Sequence, residues 1–129
     1  MIGIDANVVV RWLVDDDPAQ ADLVERMLGL SDEPVWLNPV VLAEVAWVLR
    51  SRYKQGRGAI AGSLRSVLRH PRARTADDGA AFAALDAYEA GGAGLSDHLI
   101  GALNAATGCS TTLTFDKSAA KGPHFTLLE

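Results

Sequence analysis

Short apolar runs alternate with segments of helical periodicity along the chain. The helical pattern is clearest after Pro18, where apolar residues recur at positions 21, 23, 24, 27, 28 and 30. This spacing predicts helices over residues 7–14, 18–30, 39–53, 59–68, 78–90 and 96–107. The apolar runs predict strands over residues 1–5, 35–38, 111–114 and 125–128.

Residues that begin and end helices support these bounds. Asp17 precedes Pro18 as an N-cap would, Ser96 is predicted to cap the last helix, and Gly108 to end it. Strands that alternate with helices in a chain of 129 residues predict a single α/β domain over residues 1–129. Its helices are expected to flank a mainly parallel central sheet.

The composition is typical of a folded globular protein. Hydrophobic residues make up 49% of the chain and charged residues 22%, which excludes a disordered chain and a disulfide-rich scaffold. No apolar run approaches the roughly 18 residues of a membrane span, so no membrane association is expected. One cysteine cannot form an internal disulfide, and the first residues lack a basic and apolar leader. A cytoplasmic location is therefore expected.

The net charge of −4 conceals an uneven distribution of basic residues. Eight of the 12 basic residues lie between positions 50 and 74, where there is no acid. Such a segment is suited to an anionic partner, most obviously nucleic acid. The alternative is a solvated helix face.

Four acidic residues occupy unusual positions in the predicted elements. Asp5 and Asp116 each follow a predicted strand, at the edge of a parallel sheet where ligands bind. Asp97 stands at the start of the last helix, and Glu44 is the only formal charge in residues 35–49. Because the helix around Glu44 is apolar nearly all round, its carboxylate is expected to be buried beside a cation, either a metal ion or an arginine.

Each acid also has a structural explanation. Asp5 and Asp97 suit capping or first-turn positions of helices, Asp116 suits a turn, and Glu44 suits a structural ion pair. Acids that converge at one sheet edge, however, would repel one another unless a divalent cation lay between them. An all-oxygen donor set without a histidine or cysteine cluster favours Mg²⁺ or Mn²⁺.

The segments around these acids resemble the motifs of the PIN domain family, and within it the VapC toxins most closely. They occupy residues 4–11, 42–45, 95–100 and 113–117, with the sequences IDANVVVR, LAEV, LSDHLI and LTFDK. The resemblance covers the whole chain. It implies a three-layer sandwich, a magnesium- or manganese-dependent endoribonuclease that leaves 5′-phosphate and 3′-hydroxyl ends, inhibition by a cognate VapB-like antitoxin, and a homodimer.

The resemblance also implies roles for individual residues. Asp5, Glu44 and Asp97 match the core acids of the family, and Asp116 matches a more variable fourth. Asp5, Asp97 and Asp116 are expected to hold the metal, while Glu44 orients a water molecule or acts as a base. Asn7 and Thr114 are expected to support the site. Some relatives carry another acid two or three residues after the fourth, where this chain has serine and alanine.

The same interpretation assigns the surfaces of the protein to partners. RNA backbone contacts are expected from five basic residues: Arg11, Arg50, Arg65, Arg69 and Lys117. The apolar excess over residues 39–53 and 80–90 indicates a homodimer contact, an antitoxin contact or core packing. The competing hypothesis is a catalytically silent PIN-like binding module that acts through protein contacts.

Overall fold

The computed structural model describes residues 1–129 as short parallel strands connected by helices. The six α-helices are α1 (Ala6–Leu13), α2 (Pro18–Leu30), α3 (Pro39–Ser51), α4 (Arg57–Leu68), α5 (Asp78–Ala90) and α6 (Leu95–Thr107). The strands are β1 (Ile2–Gly3), β2 (Val35–Trp36), β3 (Ala73–Arg74), β4 (Thr112–Thr114) and β5 (Phe125–Leu127). A 3₁₀-helix, Ala119–Lys121, lies between the last two strands.

All the strands pair in parallel, which confirms the predicted α/β class. Strands β1, β2 and β3 form one sheet in that order, with Ile2 opposite Val35 and Val35 opposite Ala73. Strands β4 and β5 form a second sheet, with Thr112 opposite Phe125. The strand at Ala73–Arg74 was not predicted, because its short polar sequence has no apolar run. Backbone bonds to β2 define it instead, including one from Leu37 N to Arg74 O at 2.7 Å.

Local capping signals account for most helix bounds. The side chains of Asp17 and Asp77 accept hydrogen bonds from the third backbone N–H that follows each of them, and α2 and α5 cover the residues predicted for them. Helix α6 differs, since it begins at Leu95 with Gly94 as its N-cap. The prediction that Ser96 caps this helix is therefore wrong: Ser96 already lies inside the first turn, where a side chain does not take the capping position.

The hydrophobic core lies where α1, α3, α4, α5 and α6 pack together. Its largest fully buried side chains include Leu42 and Leu49 from α3 and Ile60 and Leu64 from α4. Helix α3 buries only one face, whereas Trp47 on its other side is 70% exposed. None of the six helices has the length and hydrophobicity needed to cross a membrane.

The second sheet contacts α6 at a glycine. A Cβ atom at Gly101 would lie 2.6 Å from Cε2 of Phe125 and 3.1 Å from Cβ of His124. Both distances are well inside van der Waals contact, so only glycine allows β5 to approach the helix this closely. The contact positions the β4–β5 unit, which carries Thr114 and leads into Asp116.

Candidate active site

Asp5 lies at the point where β1 ends and α1 begins. Its carboxylate is exposed, and Oδ1 accepts a hydrogen bond from the backbone N–H of Val8 at 3.1 Å, as an N-cap does. Asn7 is exposed in the following turn. Both residues line a groove of about 310 Å³ between α1 and α2, which also includes Gln20 and Leu23. The structural role considered for Asp5 is thus present, and its second oxygen, Oδ2, has no hydrogen-bond partner.

Glu44 is exposed on α3, so the prediction that this carboxylate is buried beside a cation is wrong. The reason is the packing of the helix, which buries Leu42, Val45, Ala46 and Leu49 along one face only. Glu44 lies on the opposite face with Val40 and Trp47. Its carboxylate forms no salt bridge, so the ion-pair explanation is not supported either.

Asp97 is half-buried in the first turn of α6, where the partial positive charge of the helix N-terminus stabilises a carboxylate. Helices α3 and α6 pack together, and a cleft of about 120 Å³ between them is lined by Ala43 and Trp47 on one side and by Gly94 and Ser96 on the other. Glu44 and Asp97 directly follow residues that line this cleft. The packing of the two helices therefore brings the segments that carry these acids to the same cleft.

Asp116 organises the turn that follows β4. Its Oδ1 accepts hydrogen bonds from the backbone N–H groups of Ser118 at 2.8 Å and Ala119 at 3.2 Å. Its own N–H donates to Oγ1 of Thr114 at 3.0 Å. The hydroxyl of Thr114 thus has a structural contact, and Asp116 has the turn role considered from the sequence. The exposed carboxylate retains Oδ2 without a hydrogen-bond partner.

The four acids match a hard divalent cation in chemistry, but the structure does not gather them into a formed metal group. All their donor atoms are oxygens, which Mg²⁺ and Mn²⁺ prefer. No three acid, histidine or cysteine side chains lie in an arrangement that could hold a metal ion. The convergence of Asp5, Asp97 and Asp116 on one ion therefore stays a prediction.

Arg11, expected to contact RNA, is held by a network between α1 and the start of α2. Its Nη1 lies 2.6 Å from Oδ1 of Asp16, and its Nε donates to Oε1 of Gln20 at 2.7 Å. Tyr53 joins the network by donating its hydroxyl proton to Asp16. The hydrogen bond from Tyr53, followed by the charge of Arg11, lowers the pKa of Asp16. The hydrogen bond to Tyr53 and the charge of Asp16 raise the pKa of Arg11.

The guanidinium of Arg65 is likewise bound by side chains of the protein. Its Nη2 lies 2.7 Å from Oδ1 of Asp86 and 2.7 Å from Oε1 of Glu89, both on α5. Hydrogen bonds to these carboxylates raise the pKa of Arg65. Arg69 stacks over the ring of Phe82, with Cζ at 5.7 Å from the ring centroid. An RNA phosphate would have to compete with these contacts.

Two further arginines of the basic segment bind the C-terminal ends of helices. Arg72 Nη1 donates to the carbonyl of Leu28 at 2.6 Å, at the end of α2. Arg57 donates to three carbonyls at the end of α5 and in the loop that follows it. The sequence did not reveal these roles, because their partners are carbonyls of residues 31 to 44 positions away. Arg50 and Lys117 are exposed, and their side chains make no hydrogen bond or salt bridge to another residue.

Comparison with known families gives one match that spans most of the chain. The model of the family described as "PIN domain" matches residues 2–123. Comparison with curated proteins gives no match. The family match covers the segments that carry all four acids.

Proposed function

We propose a function from the premise that the chain belongs to the PIN domain family, whose model covers residues 2–123. The family fold is of the nuclease type. On this basis the protein is proposed to be a metal-dependent endoribonuclease that hydrolyses RNA phosphodiester bonds to 5′-phosphate and 3′-hydroxyl ends. Its biological role is proposed to be the toxin of a type II toxin–antitoxin pair.

The accessibility of the four acids carries this proposal. The salt bridges of the protein use other carboxylates, such as those of Asp16 and Asp86, while Asp5, Glu44, Asp97 and Asp116 form none. All four acids are at least partly exposed, so substrate and cation can reach them.

The roles proposed for the acids follow from the chemistry of their donor atoms. Asp5, Asp97 and Asp116 would hold Mg²⁺ or Mn²⁺, with Asn7 and Thr114 beside Asp5 and Asp116. Such an ion would lower the pKa of a bound water and stabilise negative charge on the phosphate. Glu44 is proposed to orient the attacking water or to accept its proton; its exposed carboxylate, next in sequence to a residue of the α3–α6 cleft, is accessible to that water.

Because several arginines are bound within the protein, the proposed RNA contacts are assigned mainly to the basic side chains that have no partner. Arg50 beside the α3–α6 cleft and Lys117 beside Asp116 are free to hold phosphates. Arg11 and Arg65 already neutralise acids of the protein, so their contribution to RNA affinity is expected to be smaller. Phosphate contacts of this kind provide affinity without sequence selection.

A homodimer is proposed through the exposed face of α3. Val40 is 66% exposed and Trp47 is 70% exposed, on the same side of α3 as Glu44, so the proposed contact has to leave the Glu44 carboxylate open to solvent. Aromatic residues are enriched in protein interfaces, and Trp most of all among binding hot spots. This surface agrees with the apolar excess noted for residues 39–53.

A second groove between α1 and α2, distinct from the one lined by Asp5 and Asn7, is proposed to receive a segment of the antitoxin. Its volume is about 490 Å³, and its lining includes Trp12 and Leu28 together with the acids Asp15 and Glu25, which form no salt bridge. An apolar surface bordered by carboxylates complements a peptide that carries both apolar and basic side chains. The same carboxylates would repel an RNA backbone, which favours a protein partner at this surface.

The test is cleavage of a mixed cellular RNA pool by the purified protein with Mg²⁺ or Mn²⁺, and again with EDTA. Discrete fragments with 5′-phosphate ends are expected with metal and none with EDTA. Asp97→Asn is expected to reduce cleavage by more than roughly 100-fold, since loss of a group that merely supports a metal ligand costs up to about that much. The matched control is Asp78→Asn, which neutralises an acid in the first turn of α5 instead.

The outcomes separate the hypotheses. Cleavage that persists in EDTA would exclude metal dependence, and full activity of Asp97→Asn would exclude the proposed site. If the folded wild-type protein, free of bound inhibitor, cleaves no RNA under any condition, the binding-module hypothesis is favoured.

A further inference from the structure

The loop of residues 91–94 leads directly from α5 into the first turn of α6, where Asp97 lies. Three of its four residues are glycines, and Gly91 and Gly92 have φ angles of +119° and +78°. Glycine loses more conformational freedom on folding than any other residue, so such a loop has little intrinsic preference for one path. Gly94, the N-cap of α6, offers no side chain to fix the start of the helix. Some other group must therefore determine where α6 begins.

Arg57, the first residue of α4, supplies that group. Its Nη1 donates to the carbonyl oxygens of Tyr88 at 2.9 Å and Ala93 at 2.8 Å, and its Nη2 donates to Gly92 at 2.6 Å. The guanidinium also lies over the ring of Tyr88, 4.6 Å from its centroid. Tyr88 is only 2% exposed, so the ring is a fixed platform. One planar cation thus connects the end of α5 to both residues at the middle of the loop.

The surroundings favour a cation at this position. The last carbonyls of a helix have no intrahelical partner and carry a partial negative charge, which a guanidinium neutralises. Buried His98, in the first turn of α6, places Nε2 3.4 Å from the carbonyl oxygen of Gly91. The loop is thus contacted from α4 on one side and from α6 on the other.

We infer that Arg57 is a positioning residue for the active site: by fixing the path of residues 91–94, it sets the position and orientation of Asp97 relative to Glu44. The inference rests on the proposed function, because it assigns Asp97 a part in cleavage. Gly94 and Ser96 form one wall of the α3–α6 cleft, so a shift of the loop displaces this wall with the carboxylate. Arg57 itself touches neither RNA nor metal in this role.

The test compares Arg57→Met with Arg72→Met. Methionine retains an apolar stem of similar length and removes every donor. Arg72 is a matched control, because its guanidinium likewise donates to carbonyls at the C-terminal end of a helix, here α2, but it does not contact the loop and is not among the proposed RNA contacts. Both variants are expected to lower the melting temperature, so the decisive measurements are made on folded protein well below it.

Only Arg57→Met is expected to change the site. Amide hydrogen exchange should accelerate at least about 10-fold for residues 92–98, and kcat for RNA cleavage should fall on the order of 100-fold, as expected for a displacement of about 1 Å. KM should change little, since the RNA contacts remain. Arg57→Lys keeps the charge but not the planar fork of donors, so its amide exchange and kcat should lie between those of the wild type and Arg57→Met.

Each outcome decides the inference. The inference is overturned if Arg57→Met has the loop amide exchange and the RNA cleavage of the wild type. It is also overturned if Arg72→Met changes both properties as much as Arg57→Met does. If the wild-type protein cleaves no RNA, the proposed function fails, and Mn²⁺ affinity measured by electron paramagnetic resonance replaces kcat. Weaker Mn²⁺ binding and faster exchange in Arg57→Met alone would then still support positioning by Arg57, whereas unchanged values would overturn it.

Discussion

Replacing Gly101 with alanine adds one methyl group at the contact between α6 and β5. In a helix without neighbours, glycine to alanine stabilises by about 0.5–1 kcal/mol, because the unfolded chain loses freedom. Here the new Cβ would lie 2.6 Å from the Phe125 ring and 3.1 Å from Cβ of His124. The ring can rotate but the backbone at His124 must shift, and overpacking of this kind costs about 1–3 kcal/mol. We expect a net destabilisation of about 1 kcal/mol.

Gly62→Ala provides the reference for this prediction. Gly62 is exposed in α4, and its Cβ position has no heavy atom within 4 Å. The helix preference is common to both variants, so their difference in unfolding free energy isolates the steric cost, about 1–3 kcal/mol. Urea denaturation monitored by circular dichroism measures it. Equal stabilisation of the two variants would refute the close approach of β5 to α6.

A double-mutant cycle then tests whether the Phe125 ring is the obstacle. Phe125→Leu removes ring atoms that the new methyl group would meet, so it should cost less in the Gly101→Ala background than in the wild type. A coupling of about 0.5–3 kcal/mol is expected for residues in contact. Additive effects would mean that the strain lies in the backbone at His124. In either case, faster amide exchange in β4 and β5 would show that the unit leading to Asp116 has moved.

Two further predictions concern the Asp16 network and the exposed face of α3. Tyr53 and Arg11 lower the pKa of Asp16 in the folded protein. The stability that Asp16 contributes to the fold is therefore present above its unfolded pKa of about 3.9 and is lost as the pH falls through its folded pKa. The melting-temperature difference between wild type and Asp16→Asn should therefore close below about pH 4, and a constant difference from pH 7 to 3 would contradict the assignment. Trp47→Glu should convert a dimer to a monomer of 13.7 kDa, as measured by light scattering. The control Leu23→Glu changes a residue that is 61% exposed on another helix and should leave the dimer intact. A monomeric wild type would exclude this interface.

Local signals explain what the sequence predicts correctly. Helices α2 and α5 each begin after an aspartate whose side chain accepts from the helix it caps, and both cover the predicted residues. These contacts join residues three positions apart, so the pattern of the sequence contains them. The motifs around the four acids are equally local, which is why the family could be identified without the structure.

The exposure of Glu44 could not be predicted from the local sequence pattern. The run of apolar residues around it indicates a helix that is buried all round, yet α3 has neighbours on one side only. Whether an apolar face is covered depends on elements distant in sequence, or on a second chain. The exposed Trp47 beside Glu44 is consistent with the second explanation. The error about Glu44 and the proposed dimer surface therefore have the same physical origin.

The basic segment makes the same point about charge. Residues 50–74 contain no acid, and the sequence alone suggests that their positive charge is free for an anionic partner. In the structure, Arg57 and Arg72 bind the carbonyl ends of α5 and α2, which carry partial negative charge but no formal charge that composition could reveal. Arg65 finds its acids 21 and 24 positions away. A cluster of arginines without local acids therefore indicates long-range structural contacts as readily as it indicates RNA, and the arginine that bears most directly on the proposed site, Arg57, acts through the backbone.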